Sequence, residues 1–302
     1  MTSGLVVMAY GTPSSPADIE AYYTHIRRGR PPSPEQLADL TRRYEAIGGT
    51  SPLAVRTRAQ VDGIAAALEA DEPGAWRVAL GNKHAAPFLE DAVAGLADAG
   101  VERIVGLVLA PHYSRGSVGE YHARAGAAAE ARGLDYIGID RWHDEPAWLD
   151  AQAERVRAAR ARLAGPGRRT IVLFTAHSLP EHVLEGDPYP DELDESARAI
   201  AKRADVSDDG WQLAWQSAGR TPDPWRGPDV LEVIRELEGR RDVTGVVVCP
   251  QGFVSDHLEV LYDLDVDAHQ AARLAEMLFA RTASINDEPA VMAALAERVR
   301  RS

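Results

Sequence analysis

The chain repeats itself at about half its length, and this limits the fold more than any other feature. "GLVVMAYGTP" (4–13) is matched by "IVLFTAHSLP" (171–180): an apolar run, Ala, then Tyr10 or His177, two residues and Pro. "VERIVGLVLAPHYSRGSVGEY" (101–121) is matched by "DVTGVVVCPQGFVSDHLEVLY" (242–262), each a Val-rich run, a Pro, a loop and a helix-like start. A weaker third pair is "RVALGNKHAAPFLEDAVAGL" (77–96) with "QLAWQSAGRTPDPWRGPDVLEVIREL" (212–237), and the order of the three is the same in both halves. Between them, "PEQLADLTRRYEAI", "VDGIAAALEA" and "AWLDAQAERVRAARARLA" place apolar residues three and four apart, as helices do. Apolar strands alternating with amphipathic helices predict two similar Rossmann-like α/β domains, each a parallel sheet flanked by helices, with a cleft between them. The expected boundaries are 1–145 and 146–285, followed by a carboxyl-terminal helix, 286–302, that packs back on the first domain.

Ligands of such sheets bind at the carboxyl ends of the strands. Tyr10, Lys83, Pro111, His177 and Pro250 all fall at or near predicted strand ends. A strand-end histidine alone is more often structural than catalytic. His177 differs because the duplication sets it opposite Tyr10, where two domains facing each other bring their strand ends to one cleft.

A second informative stretch is "DHLEVLYDLDVDA" (256–268). On a helix Glu259, Asp263 and Asp267 stand at i, i+4 and i+8, on one face. Such a row is commonly a solvated acidic face. It is also a set of hard oxygen ligands able to pass a hydrated cation along. A His nitrogen with one carboxylate is an incomplete metal site, which suits transfer rather than storage. Arg27, Arg28, Arg30, Arg42 and Arg43 reverse the charge locally in a chain of net charge −13. They read either as surface ion pairs or as an anion site.

Composition narrows the classes. The net charge argues against nucleic acid as partner. The single cysteine, Cys249, excludes an intrachain disulfide and an Fe–S cluster held by this chain's thiolates alone. No apolar run reaches membrane-spanning length, and "MTSGLVVMAYGTP" lacks the basic region of a signal peptide. A cytoplasmic protein without a membrane anchor is expected.

Taken together, "GLVVMAYGTP", "YYTHIRRGR", "RRYEAIGGTSPL", "FTAHSLPE", "GDPYPDEL", "WQSAGRTPDPWRGPDV" and "GFVSDHLEVLYD" resemble the ferrochelatases over nearly the whole chain, most of all the compact Gram-positive type of the coproporphyrin route. The resemblance implies insertion of Fe2+ into coproporphyrin III, giving an iron coproporphyrin for a downstream decarboxylase. It implies a monomer with no tightly bound cofactor and no Fe–S cluster, iron being a substrate. It places His177 and Glu259 at the metal and in catalysis, with Asp263 and Asp267 as a metal path. It places Tyr10, Arg27, Arg43, Tyr44, Ser51 and Tyr121 against the porphyrin, and Lys83 and His84 at the cleft wall. Neutral His177 would then accept pyrrole protons. Other readings are a protoporphyrin IX ferrochelatase, a sirohydrochlorin-type cobalt or nickel chelatase, and a haem or porphyrin binder without activity. The sirohydrochlorin reading is disfavoured because only His177 has the strand-end setting of a metal-side histidine.

Overall fold

The structure is a computed structural model and describes residues 2–219 and 221–302. Arg220, in the "WQSAGRTPDPW" stretch, lies outside the described residues. The first half runs β1 (Ser3–Ala9), α1 (Ile19–Ile26), α2 (Pro34–Ala46), α3 (Leu53–Asp71), β2 (Trp76–Asn82), α4 (Leu89–Asp98), β3 (Arg103–Val108), α5 (Val118–Glu130) and β4 (Asp135–Ile139). The second runs α6 (Pro146–Leu163), β5 (Thr170–His177), α7 (Glu181–Leu184), α8 (Tyr189–Arg203), β6 (Trp211–Gln216), α9 (Val230–Glu238) and β7 (Gly245–Cys249). A π-helical segment, Val260–Ala268, then leads into α10 (His269–Leu274), β8 (Leu278–Arg281) and α11 (Pro289–Arg300).

Two four-stranded parallel sheets result, ordered β2-β1-β3-β4 and β6-β5-β7-β8. The order is the same in both, as two copies of one unit require. Their central strands are apolar throughout because helices cover both faces of a parallel sheet; Leu5–Met8 and Val172–Phe174 are fully buried. Ala9 pairs with Asn82 and Ala176 with Trp215, and the amides of Asn82 and Trp215 donate to Pro87 O and Pro228 O. Ala9 and Ala176 are therefore equivalent, and so are Tyr10 and His177. The third-strand pairing needs a correction. Register equates Val108 with Pro250, so Pro111 lies three residues further on than the sequence match suggests.

The two sheets share one core. A single buried cluster runs from Leu5 and Val105 through Trp142 and Trp148 to Phe174, Val247, Val291 and Leu295. Helix α11 contributes the last two and lies against α3 and α6, so it closes the chain over both sheets. Trp148, fully buried and edge-on to Trp142, sits at the centre of this arrangement. Trp148→Ala should cost about 3–5 kcal/mol, the scale for truncating a buried tryptophan. Urea unfolding followed by tryptophan fluorescence and by far-UV circular dichroism should lose stability in one shared transition. Two separated transitions would mean that the halves do not share this core.

Candidate functional site

The carboxyl ends of both sheets open into one cavity of about 1050 Å3, at the upper end of small-molecule sites. Tyr10, Tyr44, Ser51, Lys83, His84 and Tyr121 line it from the first half, and His177, Phe253, His257 and Glu259 from the second.

His177 ends β5 and is positioned by its own backbone neighbour. Its Nδ1 contacts Ser178 O at 2.5 Å as the donor, which leaves Nε2 to face Glu259 Oε1 at 3.5 Å. Burial pulls the His177 pKa down. Glu259's charge and hydrogen bond, then the Ser178 carbonyl and Asp263's charge, outweigh this and raise it to about 9. Burial in turn pushes the Glu259 carboxyl upward, but the charges and hydrogen bonds of His177 and His257 hold it well below the usual carboxylate range. The expectation of a neutral His177 is thus corrected: at neutral pH the ligand-free pair is an imidazolium with a carboxylate.

The other Glu259 oxygen, Oε2, lies 3.4 Å from His257 Nε2. His257 is not a strand-end residue, yet the structure sets it beside Glu259 as a second imidazole, on the other carboxylate oxygen from His177. A signal was present in "SDHLE", where His257 precedes Glu259 by two residues. A close backbone approach puts this loop in place. Gly252 donates to Thr175 O, and a Cβ there would fall 2.5 Å from the Ala176 Cβ.

Glu259 leads directly into the π-helical segment. Its buried apolar residues, Val260, Leu264 and Ala268, recur every four positions, and so do Glu259, Asp263 and Asp267. In an α-helix residues four apart drift forward by about 40° per step. The wider turn of i→i+5 bonding opposes that forward drift, which keeps the residues of each stripe nearer one line. The acidic row is not a solvated face. Asp263 is buried, accepts from Ser217 Oγ at 2.5 Å, and meets Arg43 Nη1 at 3.4 Å. Burial and then Glu259's charge raise its pKa to about 6, against the opposing pull of Ser217 and Arg43. Asp267 is half-buried, and burial leads its upward shift, countered by Arg43.

Two expected porphyrin contacts are placed elsewhere. Arg43 does not line the cavity; its guanidinium lies among Asp39, Asp263 and the Tyr262 ring, where opposite charge draws it. Arg27 also lies outside the lining, with its Nε donating to Arg30 O and its guanidinium over Tyr23. Arg28, at φ +56°, turns to the cavity in its place. Ser51 is buried, and its Oγ accepts from Leu53 N at the start of α3. Tyr44 Oη is 3.5 Å from Thr12 Oγ1. Lys83 reaches Glu120 at 2.7 Å and lies over the ring of buried Tyr121. His84 faces His25, Nδ1 to Nδ1 at 3.0 Å, and packs on Tyr10. Burial, then the charges of Lys83, His25 and Arg124, push its pKa down to about 4, so it is neutral. Tyr10 is 44% exposed to the cavity. Desolvation there, then Glu259 and Glu120, hold its phenol above its ordinary pKa and therefore neutral.

The site thus has a phenol and imidazole wall on one side and an imidazole–carboxylate pair on the other. The pair can hold a divalent cation weakly and can take up protons when the cation leaves.

Among solved structures, SirB from Bacillus subtilis with Fe3+ superposes with a TM-score of 0.60 at 14% identity, covering 99% of this chain and 95% of that one. CbiX, described as the terminal enzyme for siroheme biosynthesis in denitrifying bacteria, gives 0.54 at 15% identity, with 100% and 99% covered. At such identities these establish the duplicated chelatase fold alone. Sequence relatives are nearer. The coproporphyrin III ferrochelatase of Geobacillus kaustophilus is 47% identical over 99% of this chain and 95% of its own length. That of Anoxybacillus flavithermus is 46% identical over 97% and 94%. The family profile described as Ferrochelatase matches residues 2–302, and the chain belongs to the ferrochelatase family.

Proposed function

We propose that this protein inserts Fe2+ into coproporphyrin III to give iron coproporphyrin III, a step of haem biosynthesis, with His177 and Glu259 as the metal-side pair. The observation that carries the reading is this pair at the wall of a macrocycle-sized cavity, facing Tyr10, in a chain nearly half identical to coproporphyrin III ferrochelatases. Arg28, Lys83 and Arg124 line the first-half side of the same cavity; Lys83 and Arg124 are paired there with Glu120 and Glu90, and Arg28 is the cation this reading offers to the propionates. Lys83 and His84 form that wall, and Tyr10 approaches the macrocycle face opposite His177. Tyr44, Ser51 and Tyr121 supply ring contact and hydrogen bonds.

The proton balance follows. Free-base porphyrin loses two pyrrole protons as Fe2+ enters. Fe2+ arriving at the pair displaces the proton held on His177, because an imidazole nitrogen cannot bind both. When the metal moves to the macrocycle, His177 Nε2 and Glu259 are free to take one pyrrole proton each. Glu259, whose environment favours the charged form, then releases its proton to solvent. A rigid cleft that binds a puckered ring better than a flat one lowers the barrier to metal entry. Asp263 and Asp267 form the approach for hydrated Fe2+. A cluster held by thiolates of this chain has no part in the reading, since Cys249 is alone in the sequence and is buried, with its thiol pushed up to about 12 by desolvation, against the smaller opposing effects of Thr282 and Arg155. The described residues include no helix long and apolar enough to cross a membrane. The reading extends to a cytoplasmic monomer that passes its product to a decarboxylase.

The test is anaerobic spectrophotometry with Fe2+ and either coproporphyrin III or protoporphyrin IX. Conversion of the free-base four-band spectrum is expected with coproporphyrin III, at higher kcat/KM than with protoporphyrin IX. A preference for protoporphyrin IX would reverse the substrate assignment. A Soret shift without metallation would leave only a binder.

A further inference from the structure

We propose that Gln60 is a positioning residue for the metal-side carboxylate: from α3 of the first half, its amide holds the loop that orients His257 and, through it, Glu259. The proposal rests on the reading of His177 and Glu259 as the iron pair.

Gln60 is 1% exposed, in the middle of α3, where an apolar side chain would be the ordinary choice. Both ends of its amide are used by the other half of the chain. Nε2 donates to Asn286 O at 2.9 Å, and Oε1 accepts from Ser255 Oγ at 3.0 Å. The two segments it grips are themselves joined. Asn286, at φ +49°, donates its backbone N–H to Val254 O. Its side chain accepts from Asp256 N and donates to Asp256 Oδ2, both at 3.0 Å. Gln60 is therefore the point at which the first half fixes the loop 254–257.

From Ser255 the chain of contacts leads to the metal side. Ser255 O accepts from His257 Nδ1 at 3.1 Å, which aims the opposite ring nitrogen, Nε2, at Glu259 Oε2. Glu259 Oε1 faces His177. Each carboxylate oxygen thus faces one imidazole nitrogen, and the plane of one imidazole depends on Ser255. Groups that orient metal ligands from behind typically change affinity by about 10–100-fold when removed. Gln60 also reaches the cavity lining, so a Gln60 that merely joined the two halves, or acted by touching the porphyrin, would affect porphyrin affinity at least as much as metal affinity.

Gln60→Met keeps the side-chain shape and removes the amide. Gln60→Glu keeps an acceptor for Ser255 but removes the donor to Asn286 O. Each full-length variant is compared with wild type in melting temperature, coproporphyrin III affinity by fluorescence, Co2+ affinity by calorimetry, and KM for Fe2+. In Gln60→Met, Co2+ affinity and Fe2+ use should weaken about tenfold, with porphyrin affinity within about twofold. Gln60→Glu should lie between it and wild type. Adding Gln60→Met to His257→Ala should produce no further loss of Co2+ affinity, since both act on one contact. Equal weakening of porphyrin and Co2+, or a fully additive double variant, would overturn the proposal and leave Gln60 as a structural joint. If Gln60→Met fails to fold, Gln60→Glu and its combination with His257→Ala decide by the same two criteria. Wild-type Co2+ binding that does not require Glu259 would instead overturn the iron-pair reading, and this proposal with it.

Discussion

Glu259→Gln should nearly abolish iron insertion, by at least about 10²-fold in turnover, while coproporphyrin III affinity stays within about twofold. The two carboxylate oxygens face His177 Nε2 and His257 Nε2, at 3.5 and 3.4 Å. An amide has one acceptor atom in place of two and carries no charge. It is a poorer ligand for a hard divalent cation and a poor proton acceptor. Asp263→Asn and Asp267→Asn should act more mildly, in that order, and excess Fe2+ should partly rescue them, because they lie further along the π-helical segment. A solvated acidic row predicts the reverse: all three changes relieve repulsion, raise the melting temperature slightly and leave turnover alone. The burial of Asp263 and its contacts with Ser217 and Arg43 argue against that pattern. KM for Fe2+ and the melting temperature of the three variants decide the matter. Iron insertion by Glu259→Gln at the wild-type rate would remove the carboxylate from the mechanism.

Much of the fold was legible because a duplication constrains twice. The apolar strand "LVVMA" alone is compatible with many sheets. Its match to "IVLFTAH", followed by two more pairs in the same order, leaves little but two copies of one parallel unit, and the shared strand order β2-β1-β3-β4 and β6-β5-β7-β8 bears this out. Loops of different length hide the third match: Pro111 and Pro250 look equivalent, yet hydrogen-bond register separates them by three residues. The acidic row was legible as a spacing of four. That its helix is a π-helix was not, because the same spacing suits an α-helix for one turn, and the difference accumulates only over three.

The site was legible where a residue's position follows from the sheet. Tyr10 and His177 are strand-end residues, so topology delivers them to the cleft. Side-chain direction beyond a helix end does not follow from topology. Arg27 and Arg28 are neighbours, and which one meets the cavity depends on a single left-handed residue at Arg28. Arg43 was expected against the substrate because a guanidinium binds carboxylates, and it does pair with carboxylates, but with Asp39 and Asp263 of the protein itself. Gln60 was invisible for a related reason. Its hydrogen bond to Ser255 spans 195 positions of sequence, and nothing in a helix reading of α3 marks one buried glutamine as different from another.

The protonation of His177 gives the second large effect. With its pKa raised to about 9, the imidazole carries a proton across the neutral range, and a divalent cation must displace it. Below that pKa each pH unit removes about one decade of competition for Nε2, so Co2+ affinity should rise by up to about tenfold per unit between pH 6 and 8. His177→Ala should flatten this dependence, bind coproporphyrin III nearly as tightly as wild type, and lose about 10²-fold or more in iron insertion. In the proposed reaction the side chain contributes one metal ligand and one proton acceptor, but little of the cavity wall. Glu259→Gln separates the causes of the shift. With the carboxylate charge gone, burial is left largely unopposed, and the His177 pKa should fall from about 9 toward or below its ordinary value of about 6.5. Titration of the His177 Cε1–H signal by NMR in the metal-free protein reads this directly. A pKa unmoved by Glu259→Gln would mean that another group sets the charge of His177, and near-wild-type insertion by His177→Ala would remove this imidazole from the reaction.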